Sequence, residues 1–458
     1  MADVKTVHFV GIGGIGMSGI ARLLHSNGEA VSGSDSKESA NVKALRDVGI
    51  PIFIGHAPEN IQNAREVVTS TAIRPDNPEV QAAYEQRIPV LHRSKKLAQL
   101  VNAHRGITVA GTHGKTTTSS MVATMINSAG LNPSFVIGGI VNTFADNARS
   151  GGTEWFVIEA DESDGSLVEY HPEIAILTNI ELDHMDYYRD TTHLHEIFAQ
   201  HVQNVRPGGL TIYCSDDAGA SRLVGHSIGF DREFVSYGLR EGADLTAHNL
   251  KFQGMGSSFD VHHFGKLLGH VTLQVPGKHN VQNCLSAVAV GIRLEIPFDK
   301  IAEGLHEFRG VQRRFEIIGR NEHYTVVDDY AHHPSEIRAT LSAARESHDK
   351  RIIGIFQPHR YSRTKSLAEQ FGACFTNADE VVITDIYGAG EDPIPHVTSE
   401  LIVDGLRRNN HPAVHFVQGL DSVEEYVAGM MKPDDLVITL GAGDIWKVAA
   451  GLSKRLTV

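Results

Sequence analysis

The densest chemistry in this 458-residue chain lies in Gly111-Thr-His-Gly-Lys-Thr-Thr117, where glycines, a lysine and hydroxyls are spaced to grip a phosphate. A turn of this kind aims backbone N–H groups and a helix N-terminus at an anion. The Lys115 ammonium adds a point charge for the β- and γ-phosphates, and the Thr116 hydroxyl a ligand for Mg²⁺. Gly111, Thr112, Gly114 and Thr117 complete the cradle, and ATP is the expected occupant. The usual G-x-x-x-x-G-K-[ST] pattern wants glycine where this chain has Val109, which marks a shorter variant of the loop.

A second glycine loop opens the chain, where the apolar run Val7 to Val10 meets Gly11-Ile-Gly13-Gly14-Ile15-Gly16. Asp35 follows at roughly the interval at which an acid reads a ribose hydroxyl. On that fragment alone the chain reads as a nicotinamide dehydrogenase. Two phosphate loops in one chain read instead as sites for two different diphosphates, such as a UDP-sugar and ATP.

Between and beyond the loops lie polar clusters, most of them at the ends of apolar runs. Glu159-Ala-Asp161-Glu162-Ser-Asp164 follows Trp155 to Ile158, and carboxylates packed so closely are tolerable when a divalent cation neutralises some of them. Thr178-Asn179-Ile-Glu181-Leu-Asp183-His184-Met-Asp186 follows Ile174 to Leu177, with His184 able to hold a second Mg²⁺ and Asp183 and Asp186 to support it. Gly277-Lys-His279-Asn280-Val-Gln-Asn283 sets His279 and Asn283 one helical turn apart, facing one ligand, and an Asn amide matches an adenine edge. Arg313-Arg314 suits a transferring phosphoryl group, and Arg360 and Arg363 a free α-carboxylate.

The elements that must position these groups read as three α/β units, with short apolar β-type runs alternating with helical ones. Their limits fall at residues 1–103, 104–311 and 312–458. A net charge of −14 excludes a phosphate-backbone partner, since nucleic acid demands clustered Lys and Arg. No apolar run reaches 18 residues and no secretory leader is present, so a cytoplasmic protein without a membrane partner is expected. Cys214, Cys284 and Cys374 are isolated, as buried free thiols of a reducing compartment would be.

The Ala-Gly-Thr-x-Gly-Lys-Thr-Thr loop, the Glu159 and His184 motifs, the opening glycine loop, Asp328-Asp329-Tyr330-Ala-His332-His333-Pro334 and Gln357-Pro-His359-Arg360-Tyr-Ser-Arg363 together resemble the Mur ligase family, ATP-dependent amide-forming enzymes of peptidoglycan precursor synthesis. The resemblance spans nearly the whole chain. It implies an α/β fold of three domains: a Rossmann-like N-terminal domain, a central P-loop ATPase domain and a Rossmann-like C-terminal domain. It also implies that Gly13, Gly14, Ile15, Gly16 and Asp35 bind the sugar nucleotide, with Ile73 to Glu79 lining that site. Two Mg²⁺ ions would sit on Thr116, Glu159 and His184, with Arg314 on the γ-phosphate. Asp329 would take the ATP ribose, and Tyr330, His332 and His333 would face the amino acid.

No lysine occurs between Lys115 and Lys251, so the chain resembles the branch that lacks a carbamoylated lysine at the second metal. That branch joins L-alanine, or in its recycling members a tripeptide, to the lactyl carboxylate of UDP-N-acetylmuramate. The proton of the incoming ammonium goes to His332, His333 or bulk water. A monomer or a homodimer is equally compatible with the sequence.

Overall fold

The computed structural model describes residues 5–152, 154–181, 187–226 and 232–455, which form three sheets. The chain divides into two compact units. The first comprises residues 1–247, 261–269 and 282–308; the second comprises 248–260, 270–281 and 309–458.

The first sheet belongs to the first unit and contains β1 (Thr6–Val10), β2 (Val31–Asp35), β3 (Ile52–Ile54), β4 (Ala64–Thr69) and β5 (Val90–His92). All are parallel, in the order β3-β2-β1-β4-β5. The order reverses beside β1, and the crevice at such a switch point is where doubly wound sheets take ligands. The opening glycine loop leaves β1 at that point and runs into helix Ile15–Ser26, which buries Met17, Ile20, Leu23 and Leu24 against Val7 and Phe9.

The central sheet supplies this unit with β6 (Arg105–Ala110), β7 (Ser134–Val141), β8 (Asp146–Arg149), β9 (Trp155–Ala160), β10 (Ile174–Leu177), β11 (Leu210–Cys214) and β12 (Glu233–Gly238). They run β12-β11-β10-β6-β9-β7-β8, with β6 clasped in parallel by β9 and β10. Both phosphate-handling motifs therefore leave strands adjacent to the one that feeds the Lys115 loop. The strand spans Arg105–Ala110, two residues longer at its start than the apolar run Ile107 to Ala110. β13 (Leu245–Gln253), β14 (Gly256–His263) and β15 (Lys266–Leu273) lie where the chain passes back and forth between the two units.

The second unit is built on β16 (Glu316–Arg320), β17 (Tyr324–Asp329), β18 (Ile352–Phe356), β19 (Glu380–Ile383), β20 (Val414–Phe416) and β21 (Asp435–Leu440). Their order is β16-β17-β21-β18-β19-β20, parallel except for the antiparallel edge strand β16. Apolar residues cover both faces: Val327, Leu341, Phe356 and Phe371 on one, Val326, Ile355, Val437 and Val448 on the other. Strands buried on both faces read as continuous apolar runs, which is why they were legible without alternation. β17 ends at Asp329, two residues beyond the last apolar position, so the acidic pair closes the strand. Helix Lys278–Arg293 begins nine residues before Ala287, where its apolar run starts, and takes the polar His279–Asn283 stretch into its first turns. Among the described residues, no helix is long and apolar enough to cross a membrane.

Candidate active site

The Lys115 loop is held by backbone conformations that side chains resist. Gly111 has φ +143°, and a Cβ there would clash with Thr178 Oγ1. Gly114 has φ +83° and caps helix Lys115–Ser128. β10 supplies the clasp: the Thr178 hydroxyl donates to the His113 carbonyl (2.6 Å), and Asn179 both accepts from His113 N (2.9 Å) and donates to its carbonyl (3.0 Å). The Glu181 N–H donates to Thr112 Oγ1 (2.9 Å), whose hydroxyl donates to the Glu181 carbonyl (3.1 Å). Asn283, buried on its helix, brings Oδ1 to 3.0 Å of where a Gly114 Cβ would be. Thr116 is buried at the first turn, its carbonyl accepting from Ser119 and Ser120.

Lys115 Nζ donates to the carbonyls of Gly111 (2.6 Å) and Thr112 (3.1 Å) and lies 2.6 Å from Glu162 Oε2. Burial alone would lower its pKa, but the charges of Glu162, Asp161 and Glu159 outweigh that and raise it, so the lysine stays an ammonium. Burial likewise pushes Asp161 up, and Lys115 together with the Ser163 N–H and Arg93 reverses the sign, leaving it lowered. Glu159 accepts from the Gly138 N–H at 2.7 Å at the end of β9. Three carboxylates around one ammonium leave an excess of hard oxygen donors, an environment that fits Mg²⁺. Asp183, His184 and Asp186 lie outside the described residues.

At the first glycine loop, the Gly13 N–H donates to Asp35 Oδ2 at 2.8 Å, so one carboxylate oxygen holds the loop itself. A Cβ on Gly13 would meet that oxygen at 2.8 Å and Ser39 Oγ at 2.9 Å. Gly14 caps the helix in extended conformation, and Ile15 is 56% exposed at its start. Arg93, first residue of helix Arg93–Asn102, was not apparent as a site residue. Its Nη1 stands 3.2 Å from where a Gly16 Cβ would be, and its Nη2 donates to Asp161 Oδ2 at 3.3 Å. Arg93 thus stands beside Gly16 and pairs with Asp161, whose charge acts on Lys115, so charged groups run from the first glycine loop to the Lys115 loop. Only the His-Arg pair at the end of a parallel strand could have announced it. Helix Ile15–Ser26 is also tied to the central sheet, with Arg22 donating to Asp146 (2.8 Å) and Asn147 (2.9 Å).

In the second unit Asp329 is buried, accepting from the N–H groups of Phe315 and Ala331, each at 2.7 Å. Burial raises its pKa to about 6 against the opposing charge of Arg314. Phe315 (φ +49°), whose N–H makes one of these bonds, and Arg313 (φ +60°), whose N–H donates to Glu316 Oε2 at 2.8 Å, both adopt left-handed conformations. The two arginines divide their work. Arg313 is spent on structure, donating to Asp328 (2.9 Å) and to the Gly441 (2.7 Å) and Gly443 (3.2 Å) carbonyls. Arg314 lies 5.1 Å from the Tyr330 ring centre and 3.8 Å from Glu336.

His332 packs edge-on against Tyr330 (5.3 Å) and His359 (5.6 Å), and burial pushes its pKa down to about 4. Burial, then His332 and Arg363, takes His359 to about 3. Arg363 Nη1 is 3.3 Å from His359 Nδ1, and Tyr387 stacks on the other side of that ring at 5.8 Å. Arg360 (φ +68°) caps helix Tyr361–Gly372, its N–H donating to the Tyr387 carbonyl at 2.8 Å. His333 caps helix Pro334–Ser347 in a reciprocal box with Glu336. Tyr330, His332, Arg314 and Arg363 therefore share one cluster, to which His359, Glu336 and Tyr387 are additions from the structure. His279 is half-buried, and desolvation takes it to about 4.

Three Mur ligase models match in succession: the "Mur ligase family, catalytic domain" over residues 6–105, the "Mur ligase middle domain" over 109–291 and the "Mur ligase, glutamate ligase domain" over 313–443. A relative from Trichlorobacter lovleyi, named UDP-N-acetylmuramate–L-alanine ligase, is 46% identical over 456 residues, covering 99% of both chains. A Rhizobium meliloti protein of the same name is 45% identical over 459 residues, covering 99% of this chain and 97% of its own. The crystal structure of UDP-N-acetylmuramate-alanine ligase from Thermotoga maritima matches with a TM-score of 0.82 at 32% identity, over 99% of each chain. A murein peptide ligase from Psychrobacter arcticus, 23% identical with a TM-score of 0.71 over 99% of this chain and 98% of its own, shares the fold. With the three domains in order and close relatives matched end to end, the chain belongs to the Mur ligase family.

Proposed function

We propose that the protein ligates L-alanine to the lactyl carboxylate of UDP-N-acetylmuramate at the expense of ATP, in the cytoplasmic synthesis of peptidoglycan precursors. The observation that supports this reading is the run of charged groups from Arg93, beside Gly16, through Asp161 to Lys115, which links the two glycine loops within one compact unit, read as the sites of sugar nucleotide and ATP. Residues 1–103 hold the sugar nucleotide, 104–311 hold ATP, and 312–458 add the amino acid and the ribose contact.

The chemistry follows from a poor electrophile. A carboxylate resists attack by an amine, so a lactyl oxygen first attacks the γ-phosphorus, the bond to the bridging oxygen breaks, and ADP leaves an acyl phosphate. The alanine nitrogen, having lost a proton, then attacks the acyl carbon and phosphate departs. No protein nucleophile is needed; positioning and charge stabilisation carry the rate. Lys115 and Arg314 offset the negative charge of the phosphoryl group in flight. Thr116, Glu159 and His184 would hold two Mg²⁺ ions, which would supply further charge neutralisation when bound. Asn283 and His279 meet the adenine and Asp329 the ribose.

Arg360 and Arg363 clamp the amino acid's carboxylate, while Tyr330, His332 and His333 wall its side chain. With a pKa near 4, His332 is neutral at pH 7 and donates or accepts only as an uncharged imidazole. It is a weak base for an ammonium proton, which favours water as the final acceptor. Incubation with ATP, UDP-N-acetylmuramate and labelled L-alanine tests the proposal: labelled sugar nucleotide and one phosphate per amide are expected, and phosphate without amide would overturn it.

A further inference from the structure

A fully buried carboxylate sits beneath the first glycine loop, at the end of the segment expected to line the sugar-nucleotide site, and has no surface with which to line it. Glu79 is completely inaccessible to solvent, near the start of helix Pro78–Glu85. Its Oε2 accepts from the Ser34 hydroxyl at 2.5 Å and lies 3.3 Å from His56 Nδ1 and 3.6 Å from His8 Nε2. Its Oε1 accepts from Asn60 Nδ2 at 2.5 Å and the Ala57 N–H at 3.4 Å. Burial would raise its pKa, but His8, Ser34 and Asn60 overcome that and hold it near 2, so it is ionised throughout the neutral range. A buried charge with no lysine or arginine in contact among the described residues is costly to keep, and its donors come from β1, β2 and the loop after β3.

Those donors converge on the loop's anchor. The Ser34 carbonyl accepts from the N–H groups of Gly11 (2.8 Å) and Ile12 (2.9 Å), fixing the turn that presents the next amides. Asn60 Nδ2 also reaches the Gly55 carbonyl (3.2 Å), and the Gly55 N–H donates to the Asp35 carbonyl (2.8 Å). Ile73, in the segment leading to Glu79, packs where a Gly11 side chain would be.

We infer that Glu79 is a positioning residue for the sugar nucleotide: through Ser34 it sets the glycine loop that receives the diphosphate, without touching the ligand. This rests on the reading of that loop as the UDP-N-acetylmuramate site. Five donors or imidazoles face two oxygens, so glutamine keeps the shape but turns an amide N–H₂ toward one group of them. Ser34 is the member best able to adapt, because its hydroxyl can rotate to accept; the loss of its charge-assisted bond then frees the residue whose backbone carbonyl holds the loop.

The test is equilibrium binding of UDP-N-acetylmuramate, UDP and a non-hydrolysable ATP analogue to wild type, Glu79→Gln, Ser34→Ala and the double variant, each checked for cooperative melting. Both single variants should bind both uridine ligands roughly 10-fold more weakly, as for loss of one to two hydrogen bonds' net worth. ATP-analogue affinity should be unchanged, and the double variant should be no weaker than the worse single one, because both changes cut the same link. Folded variants with wild-type uridine affinity, equal losses for all three ligands, or additive losses would overturn the role. Should wild type bind neither uridine ligand, the ligase reading falls first and this inference with it.

Discussion

Lys115 is the residue on which the phosphate chemistry turns, and its surroundings define what its loss should do. It is paired with Glu162 and with two carbonyls of its own loop, among groups that the proposed reaction assigns to ATP. Lys115→Ala should abolish turnover while leaving UDP-N-acetylmuramate affinity within about 3-fold of wild type, since the other glycine loop has its own anchors in Asp35 and Ser34. Calorimetric titration of both nucleotides checks it, and parallel loss of both would contradict separate loops. The lysine and its glycines were legible because their spacing is set by a phosphate's size. Arg93 was not, and Glu162 was legible as one of a cluster of carboxylates but not as the partner of Lys115, because these roles depend on strand ends brought together from residues far apart in sequence. Asp35 was legible as an acid at the right interval, but its bond to Gly13 shows it also shaping the loop.

At the scale of elements, the Lys115 loop depends on β10 as much as on its own helix. Thr178 and Asn179 hold His113 at both its N–H and its carbonyl, a clasp made possible by the parallel register that sets Leu177 beside Ala110. Asn179→Ala removes two of those bonds and should raise KM for ATP about 10-fold with a smaller effect on KM for the sugar nucleotide. Steady-state kinetics with each substrate varied in turn will show it; equal changes in both would place the clasp's effect elsewhere. Strands in all three sheets were readable as apolar runs, since parallel strands buried on both faces need no polar alternation. Helix Lys278–Arg293 was readable only in its apolar part. Its first turns are polar, and the i, i+4 spacing of His279 and Asn283 announced only that they would share a helical face; that this face belongs to the same helix as the apolar run shows in the backbone.

Over the whole molecule, among the described residues, histidines whose pKa is lowered by desolvation outnumber carboxylates whose pKa is raised by it, and this fixes the sign of the acid response. Burial lowers His201, His279 and His332 to about 4 and His359 to about 3, from 6.5. Unfolding exposes them to bind protons, so their stabilisation is fully present above pH 6.5 and is lost as pH falls toward 4. Asp329, raised to about 6, acts in the opposite sense over part of that window. The net expectation is a Tm that falls steadily between pH 6.5 and 5, measurable by scanning calorimetry; a flat or rising profile would contradict the buried-histidine account. The three-domain organisation followed from three sets of strand and helix patterns, whereas the grouping of the first two sheets into one compact unit shows in an apolar cluster shared by both, from Val7 and Ile20 to Val136 and Phe156, and in the Arg22 and Arg93 ties, none of which a local pattern announces. The central claim concerns what the assembled molecule joins, and amide formation with UDP-N-acetylmuramate and ATP, across L-alanine, glycine, bulkier amino acids and L-Ala-γ-D-Glu-diaminopimelate, tests it most directly. A methyl-sized pocket predicts kcat/KM for L-alanine about 10- to 200-fold above glycine, steric exclusion of larger side chains and no product from the tripeptide; efficient use of the tripeptide, with poor use of free L-alanine, would contradict it.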